Sequence, residues 1–498
     1  MGNTVAYLAL LGWPIVSLAL YSKYTTLTAT FWTIVGGYLL LPVKVGIDLP
    51  LIPALDKGTI PSLSAMLWCF VIKKIWVPLV PSTWREKILF CAIIFLMVMT
   101  STTNSEPVFN GEKMVQGLRL YDGIAFALDG YLNLLPFLVG TAIVRTKVDL
   151  YQLVRMLVIA GLLYTPLILL EIRISPQLHT WIYGFFPHQF AQMMRFDGFR
   201  PVVFIGHGLL VAILMVIVCS MAACLAQMRL SVARVPAMLI LIYLLVVLVL
   251  CKSVGAWLIG LVAVSATLLL SAGCKQKAAI LLVLAVICYP LISMLGWFPT
   301  ESVLDAAAFF GQERSDSLAF RFHHEEQLLL RAKEKMWLGW GGWGRSRLHN
   351  SVSDSYWVIV IGSAGMLGYL AKTGLFLSVL IRAGRTIRLS LDRQEQRMVA
   401  SVSLLIALMM VDQIPNSSMN HLIWFLCGAL HGAISLRRRD SVMHQRLDEN
   451  MTNPIMRTAK TLVDTRYPVS NGIPKIDDSV QAIVHPITGG RNNALWGK

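Results

Sequence analysis

Runs of about twenty apolar residues recur along this 498-residue chain, and the recurrence leaves little choice of fold. A helix of that length crosses the hydrocarbon of a bilayer, and lipid offers unpaired backbone groups no other partner. Composition agrees: 56% of residues are hydrophobic, 14% are charged and the mean hydropathy is +0.65. A soluble domain carries about a quarter charged residues. The expectation is an all-α, polytopic membrane protein with about 12–13 transmembrane helices and a long external loop.

Candidate spans lie near 5–21, 26–43, 60–80, 88–104, 121–144, 151–171, 202–226, 234–251, 254–271, 277–296, 356–381, 398–414 and 420–436. Lys73 and Lys74 interrupt the third, which leaves the lower count open. The first lacks a basic segment before it and a small-residue cleavage site after it, so it reads as a span rather than a signal peptide.

Lys and Arg in short loops orient such a chain, because they accumulate on the cytoplasmic side. Arg382, Arg385, Arg388, Arg393 and Arg397 mark one connection as cytoplasmic. The alternate loops agree, with Lys73, Lys74, Arg85 and Lys87, then Arg145 and Lys147, Arg229 and Arg234, and Lys275 and Lys277. Arg437, Arg438 and Arg439 put the C-terminal end on that side too. The expected organisation is a membrane domain over 1–439 and a cytoplasmic, disordered or weakly folded tail over 440–498. External loops fall at about 172–201 and 297–354. Much of the net charge of +16 is thus an ordinary rim facing anionic headgroups, and nothing calls for nucleic acid. The eight cysteines sit in or beside spans and read as packing residues, with no disulfide frame.

The external arginines are what topology leaves unexplained. From Ser317 to Met336 the sequence has no Pro or Gly and many good helix formers. At helical spacing Arg321, His324, Leu328, Arg331 and Lys335 share one stripe. Such an amphipathic helix either touches lipid phosphates or presents Arg forks to a diphosphate. The WLGWGGWGRSR stretch from Trp337 to Arg347 permits tight turns, and its tryptophans suit an interface or a sugar face. It lacks the Gly-Lys-Ser/Thr ending of a phosphate-binding loop. In the other external loop Arg195 and Arg200 precede His207, a residue costly at membrane depth unless paired or facing a cavity. His323-His324-Glu325-Glu326 does not have the order of a zinc hydrolase, and no metal or cofactor is expected. Asp122 and Asp129 suggest a proton relay, but the other spans offer no matching acids.

The layout resembles the superfamily of bacterial O-antigen ligases and O-antigen or exopolysaccharide polymerases over about residues 60–436. The carrying motifs are GWGGWG in the late loop, DSYW at 354–357 and Gly365-Met366-Leu367-Gly368. CKSVGAWLIG at 251–260 is similar to the family's Ser-Arg-Gly-Ala span, with Val254 in place of the Arg. Ten residues separate Arg195 from Gly206, and ten separate Arg331 from Gly342, as in two loops of some polymerases. Ligases place a His-Asn pair ahead of the Gly-x-x-Gly; that spacing falls here on Asp354, whereas His349-Asn350 lies five residues earlier.

The resemblance implies glycosyl transfer on the outer face of the bacterial inner membrane, from an undecaprenyl-diphosphate-linked oligosaccharide to a hydroxyl of a glycan acceptor. It makes a polysaccharide polymerase the first expectation and a ligase acting on lipid A core or protein the alternative. Arg195, Arg200, Arg321 and Arg331 would hold the diphosphate, and His349, Asp354 or, behind them, His324 would be the base. Membrane lipids are further partners, and chain-length regulators or assembly proteins are the proteins such a role allows. The rival class is a transporter or flippase of lipid-linked sugars, which favours internal repeats and polar residues through many spans; neither is evident.

Overall fold

A computed structural model describes residues 2–49, 52–111, 113–309, 311–348, 351, 355–389 and 392–435. His349 and Asp354 lie outside them, as does the expected tail.

The described chain is mostly helical, and each expected span meets a helix. Among the described residues, six helices are long and apolar enough to cross a membrane: α1 (Thr4–Lys23), α5 (Leu120–Ile143), α6 (Lys147–Ile174), α8 (Gly208–Gln227), α11 (Ala272–Met294) and α15 (Tyr356–Leu389). Shorter apolar helices are α2 (Thr26–Leu40), α3 (Thr59–Val71), α9 (Ala237–Leu250), α10 (Val254–Leu269) and α17 (His421–Ser435). Two more, α4 (Trp84–Thr102) and α16 (Arg393–Asp412), open in charged first turns. The remaining helices, α7 (Leu178–Tyr183), α12 (Thr300–Ala308), α13 (Gln312–Glu334) and α14 (Trp343–Ser346), occupy the two long connections. Among the described residues, strands form two-stranded hairpins: β1 (Gly46–Leu49) with β2 (Ile52–Asp56), β3 (Val108–Asn110) with β4 (Lys113–Val115), β5 (Met194–Arg195) with β6 (Gly198–Phe199), and β7 (Ser231–Val232) with β8 (Val235–Pro236).

The core runs around α8, which is buried almost all round, as a helix apolar on every face must be. Its neighbours are α6, α9, α10 and α16, while α11 packs on α15 and α16.

Two expected spans differ in detail. The third ends at Val71, after which the backbone turns and Lys74 takes φ 55°. Lys73 donates to Tyr24 O at 2.9 Å, a contact that a helix continued through the lysine pair would forgo. The span expected at 202–226 is helical only from Gly208; the six residues before His207 are buried without regular structure.

The glycine-rich turn is a docking device. Trp340 N donates to Gly362 O (2.8 Å), Gly341 N to Ser363 O (2.9 Å) and Met366 N to Met336 O (2.7 Å). To admit these bonds α15 breaks at Gly365, with φ 70° and ψ 179°. A Cβ at Gly365 would stand 2.1 Å from Trp337 O, so the backbones approach as only glycine allows. This contact seats the end of α13 on α15.

Candidate functional site

The long connections and the segment 413–420 meet at one end of the bundle, where α6, α9 and α16 finish and α8, α10 and α17 begin. A cavity of about 760 Å³ opens there, bounded by His188, Gln189, Gln192, Asn416, Ser417 and Lys44 and by Arg195, Arg200, His207 and Arg321. A second cavity, about 370 Å³, shares Arg195, Arg200, His207 and Arg321 but continues between apolar residues: Val254, Leu258, Ala306, Ala307 and Leu318. The three arginines thus stand where a space of mixed polar and apolar lining meets a largely apolar one. No acidic side chain lines either cavity among the described residues.

Each arginine is placed by local structure. Arg195 pairs with Gly198 across the β5–β6 hairpin, whose two-residue turn puts both Phe196 (φ 50°) and Asp197 (φ 52°) in the left-handed region. That is the turn whose twist suits a tight hairpin. The hairpin is anchored by Lys252 Nζ donating to Phe196 O (3.1 Å) and by Phe196 stacking on Trp257 at 5.8 Å.

Arg200 is buried, and its N–H donates to Met193 O at 2.8 Å. Beyond it the non-helical chain passes through the protein interior, where each backbone group needs a protein partner. Glu171, fully buried near the end of α6, supplies two: its Oε2 accepts from Val202 N and Val203 N, both at 2.7 Å. Its Oε1 accepts from Leu178 N at 2.9 Å. Tyr164 Oη accepts from Phe204 N (3.2 Å), and Lys57 Nζ donates to Phe204 O at 2.6 Å. Gly208 completes the fit, since a Cβ there would lie 3.0 Å from Arg200 Cβ.

Arg321 comes from α13 and donates through Nη1 to Pro415 O and to Asn416 Oδ1, both at 3.0 Å. Asn416 donates in turn to buried Asp412 Oδ1 at 2.8 Å, and Ser418 donates to the other carboxylate oxygen. A loop helix and a core helix are thereby joined through the guanidinium.

His207 caps α8, its Nδ1 accepting from Leu209 N at 3.1 Å, and its ring meets His188 at 4.6 Å. Burial, and after it the charge of Arg200, holds its pKa down at about 3, with His188, Arg321 and Arg195 adding to the effect. The ring is neutral at pH 7, and with Nδ1 accepting, the proton sits on Nε2. The site therefore offers three guanidinium groups, one neutral N–H donor and the first turn of α8, all favourable to an anion.

The other residues of the expected stripe go elsewhere. Arg331 lies 3.6 Å over the buried Trp340 ring and donates to Glu334 at 2.7 Å. It lines neither cavity. Lys335 pairs with Glu106 and donates to Thr103 O at 2.8 Å. His324 sits one turn behind the cavity wall, its ring 4.3 Å from Phe320. Glu325 is buried and accepts from Ser355 Oγ (2.8 Å) and Tyr289 Oη (3.2 Å), where burial raises its pKa above the usual carboxylate range. Trp340 is covered by Arg331 and Lys335, so its ring is no sugar platform. Asp122 is spent as a helix cap, accepting from Arg119 N at 2.7 Å.

Lys44, His188, Gln189, Gln192, Asn416 and Ser417 also line the cavity, although none belongs to a motif that marks it in the sequence. The one available signal was the polar run DQIPNSSMNH at 412–421, between two helices that otherwise abut. Compared with protein-family models and with curated proteins, the chain matches none.

Proposed function

We propose that this protein is an integral-membrane glycosyltransferase that takes its glycan from a polyprenyl-diphosphate carrier, and that it is a polysaccharide polymerase of the bacterial inner membrane. One observation carries the reading. Arg195, Arg200 and Arg321 stand at the seam between a cavity of mixed polar and apolar lining and a predominantly apolar one. An amphiphile with a diphosphate between sugar and prenyl chain matches that order: sugar among the polar residues, phosphates on the arginines, prenyl chain along Val254, Leu258 and Leu318. The motif resemblance to O-antigen polymerases and ligases points the same way.

The chemistry suits the site. When the anomeric carbon leaves its phosphate oxygen, negative charge grows on the diphosphate. Fixed guanidinium groups in a poorly hydrated site stabilise that charge, each such donor contributing a factor of about 10²–10³ in rate. His207 Nε2–H adds a neutral donor. In this reading the two long connections face the periplasm and the arginine-rich end of the chain faces the cytoplasm.

The test is turnover of an undecaprenyl-diphosphate-linked repeat unit by the full chain in nanodiscs, with EDTA present. Ladders of lengthened lipid-linked glycan are expected, together with loss of product in Arg200→Ala and Arg321→Ala. Donor binding without ladders, cured by adding a lipid A core or protein acceptor, would make it a ligase. A wild-type protein that does not bind the donor, or arginine variants as active as wild type, would overturn the transferase reading. Movement of intact donor across a bilayer would make it a flippase.

A further inference from the structure

A third cavity, about 210 Å³, lies beside the cationic one and shares Lys44 with it. Their walls come from the same stretches of chain: Val43 and Ile205 here against Lys44 and His207 there, and His421 here against Asn416 and Ser417 there. Two of the residues that line the small cavity hold polar atoms that the fold leaves unused. Ser62 is fully buried, and its Oγ has no hydrogen-bond partner. His421 Nε2 is also buried without a partner. Buried polar atoms in that state call for an explanation, and a hydroxyl-bearing ligand in the adjoining cavity would supply one.

The surroundings keep the imidazole in place. Asp56 Oδ1 accepts from Gly58 N (2.8 Å) and Thr59 N (3.1 Å), fixing the turn that opens α3. At Gly58 a Cβ would lie 2.2 Å from His421 Cε1 and 2.7 Å from Nε2, so only glycine lets the ring lie against that turn. Lys57, in the same turn, donates to Leu41 O (2.8 Å) as well as to Phe204 O, which ties this cavity to the segment that follows Arg200.

We infer that this cavity receives the acceptor sugar and that His421 is the base of the transfer, a step that rests on the transferase reading above. The acceptor hydroxyl oxygen bonds to the anomeric carbon. The bond from that carbon to the diphosphate oxygen breaks, its electron pair leaving on the diphosphate held by the arginines. The hydroxyl proton passes to His421 Nε2. Atoms and charge balance with donor and acceptor alone.

The test compares His421→Ala and Gly58→Ala with wild type in the nanodisc assay, with donor affinity measured in parallel. Gly58 has ordinary helical dihedrals (φ −80°, ψ −42°), so Ala suits the backbone there while its methyl displaces the ring. Both variants are expected to lose about 100-fold or more in transfer and to keep donor affinity within about threefold. Added imidazole is expected to restore part of the rate in His421→Ala and none in Arg321→Ala. Transfer by His421→Ala within about threefold of wild type overturns the assignment while leaving the arginine site standing. Equal loss of transfer and donor affinity overturns it as well, because the ring would then be structural. A wild type that binds no donor sinks the transferase reading and this site with it.

Discussion

The two halves of α13 carry similar charge and do different work. The front half, with Ser317, Phe320 and Arg321, forms a cavity wall, and its arginine reaches across to Pro415 and Asn416. The back half is consumed by the protein: Glu325, Leu328 and Leu329 are buried, and Arg331, with Lys335 just past the helix end, closes over Trp340. A basic stripe at helical spacing therefore identifies a helix but not a binding face. What separates the halves is the neighbour that each meets. The front faces a gap between helix ends; the back meets the Gly365 break, which invites the glycine-rich turn and everything attached to it.

The sharpest way to break the comparison is to truncate one arginine in each half. Arg321→Ala removes a charge at the seam and the tether to Asn416, and a loss of about 10²–10³ in transfer is expected. Arg331→Ala is expected to leave transfer within about threefold and to cost about 1 kcal/mol of stability, the scale of a cation–π contact with a partly exposed ion pair. Turnover and thermal melting in the same nanodiscs read both. Equal kinetic losses would mean that the back half also reaches substrate.

Next in size is Gly365→Ala. It forces a left-handed backbone on a residue with a Cβ and pushes that Cβ into Trp337 O. A loss of about 2–3 kcal/mol is expected, enough to lower the melting temperature by several degrees. Because the back half of α13 is seated through this contact, proteolysis should quicken first in 311–348. An unchanged melting curve would show that the docking contributes little.

These contrasts mark what was legible in the chain. The helices were, since apolar runs of span length have few alternatives in lipid. So were α13 and the grouping of Arg195 and Arg200, because both lie in the same short connection. Arg321 and Arg331 were not separable: each follows helical spacing, and only tertiary contacts decide that one stacks on Trp340. Asn416 and His421 lie in a short connection without a strong motif, marked only by the polar run at 412–421. Glu171 was invisible for another reason. A carboxylate near a helix end looks solvated in sequence, yet here it replaces the helical hydrogen bonds that 202–203 forgo.

The smallest effect expected concerns His207, and it tests whether the arginines crowd one space. An unfolded histidine takes its proton near pH 6.5, whereas in the folded protein the pKa is pushed down to about 3 by burial and then by Arg200. Between those values the unfolded chain binds the proton and the folded one does not, so this residue makes stability fall as pH drops from about 6.5 towards 3. His207→Asn keeps an acceptor for Leu209 N at the start of α8 and removes that titration. The drop in melting temperature between about pH 7 and 5 should then shrink by a degree or two relative to wild type. The same substitution in Arg331→Ala should behave identically, because Arg331 stands apart from the ring. In Arg200→Ala it should do less, since much of the positive charge that depresses the histidine has gone. If the benefit of His207→Asn is the same with and without Arg200, the guanidinium points away from the imidazole and the seam is not the anion site described.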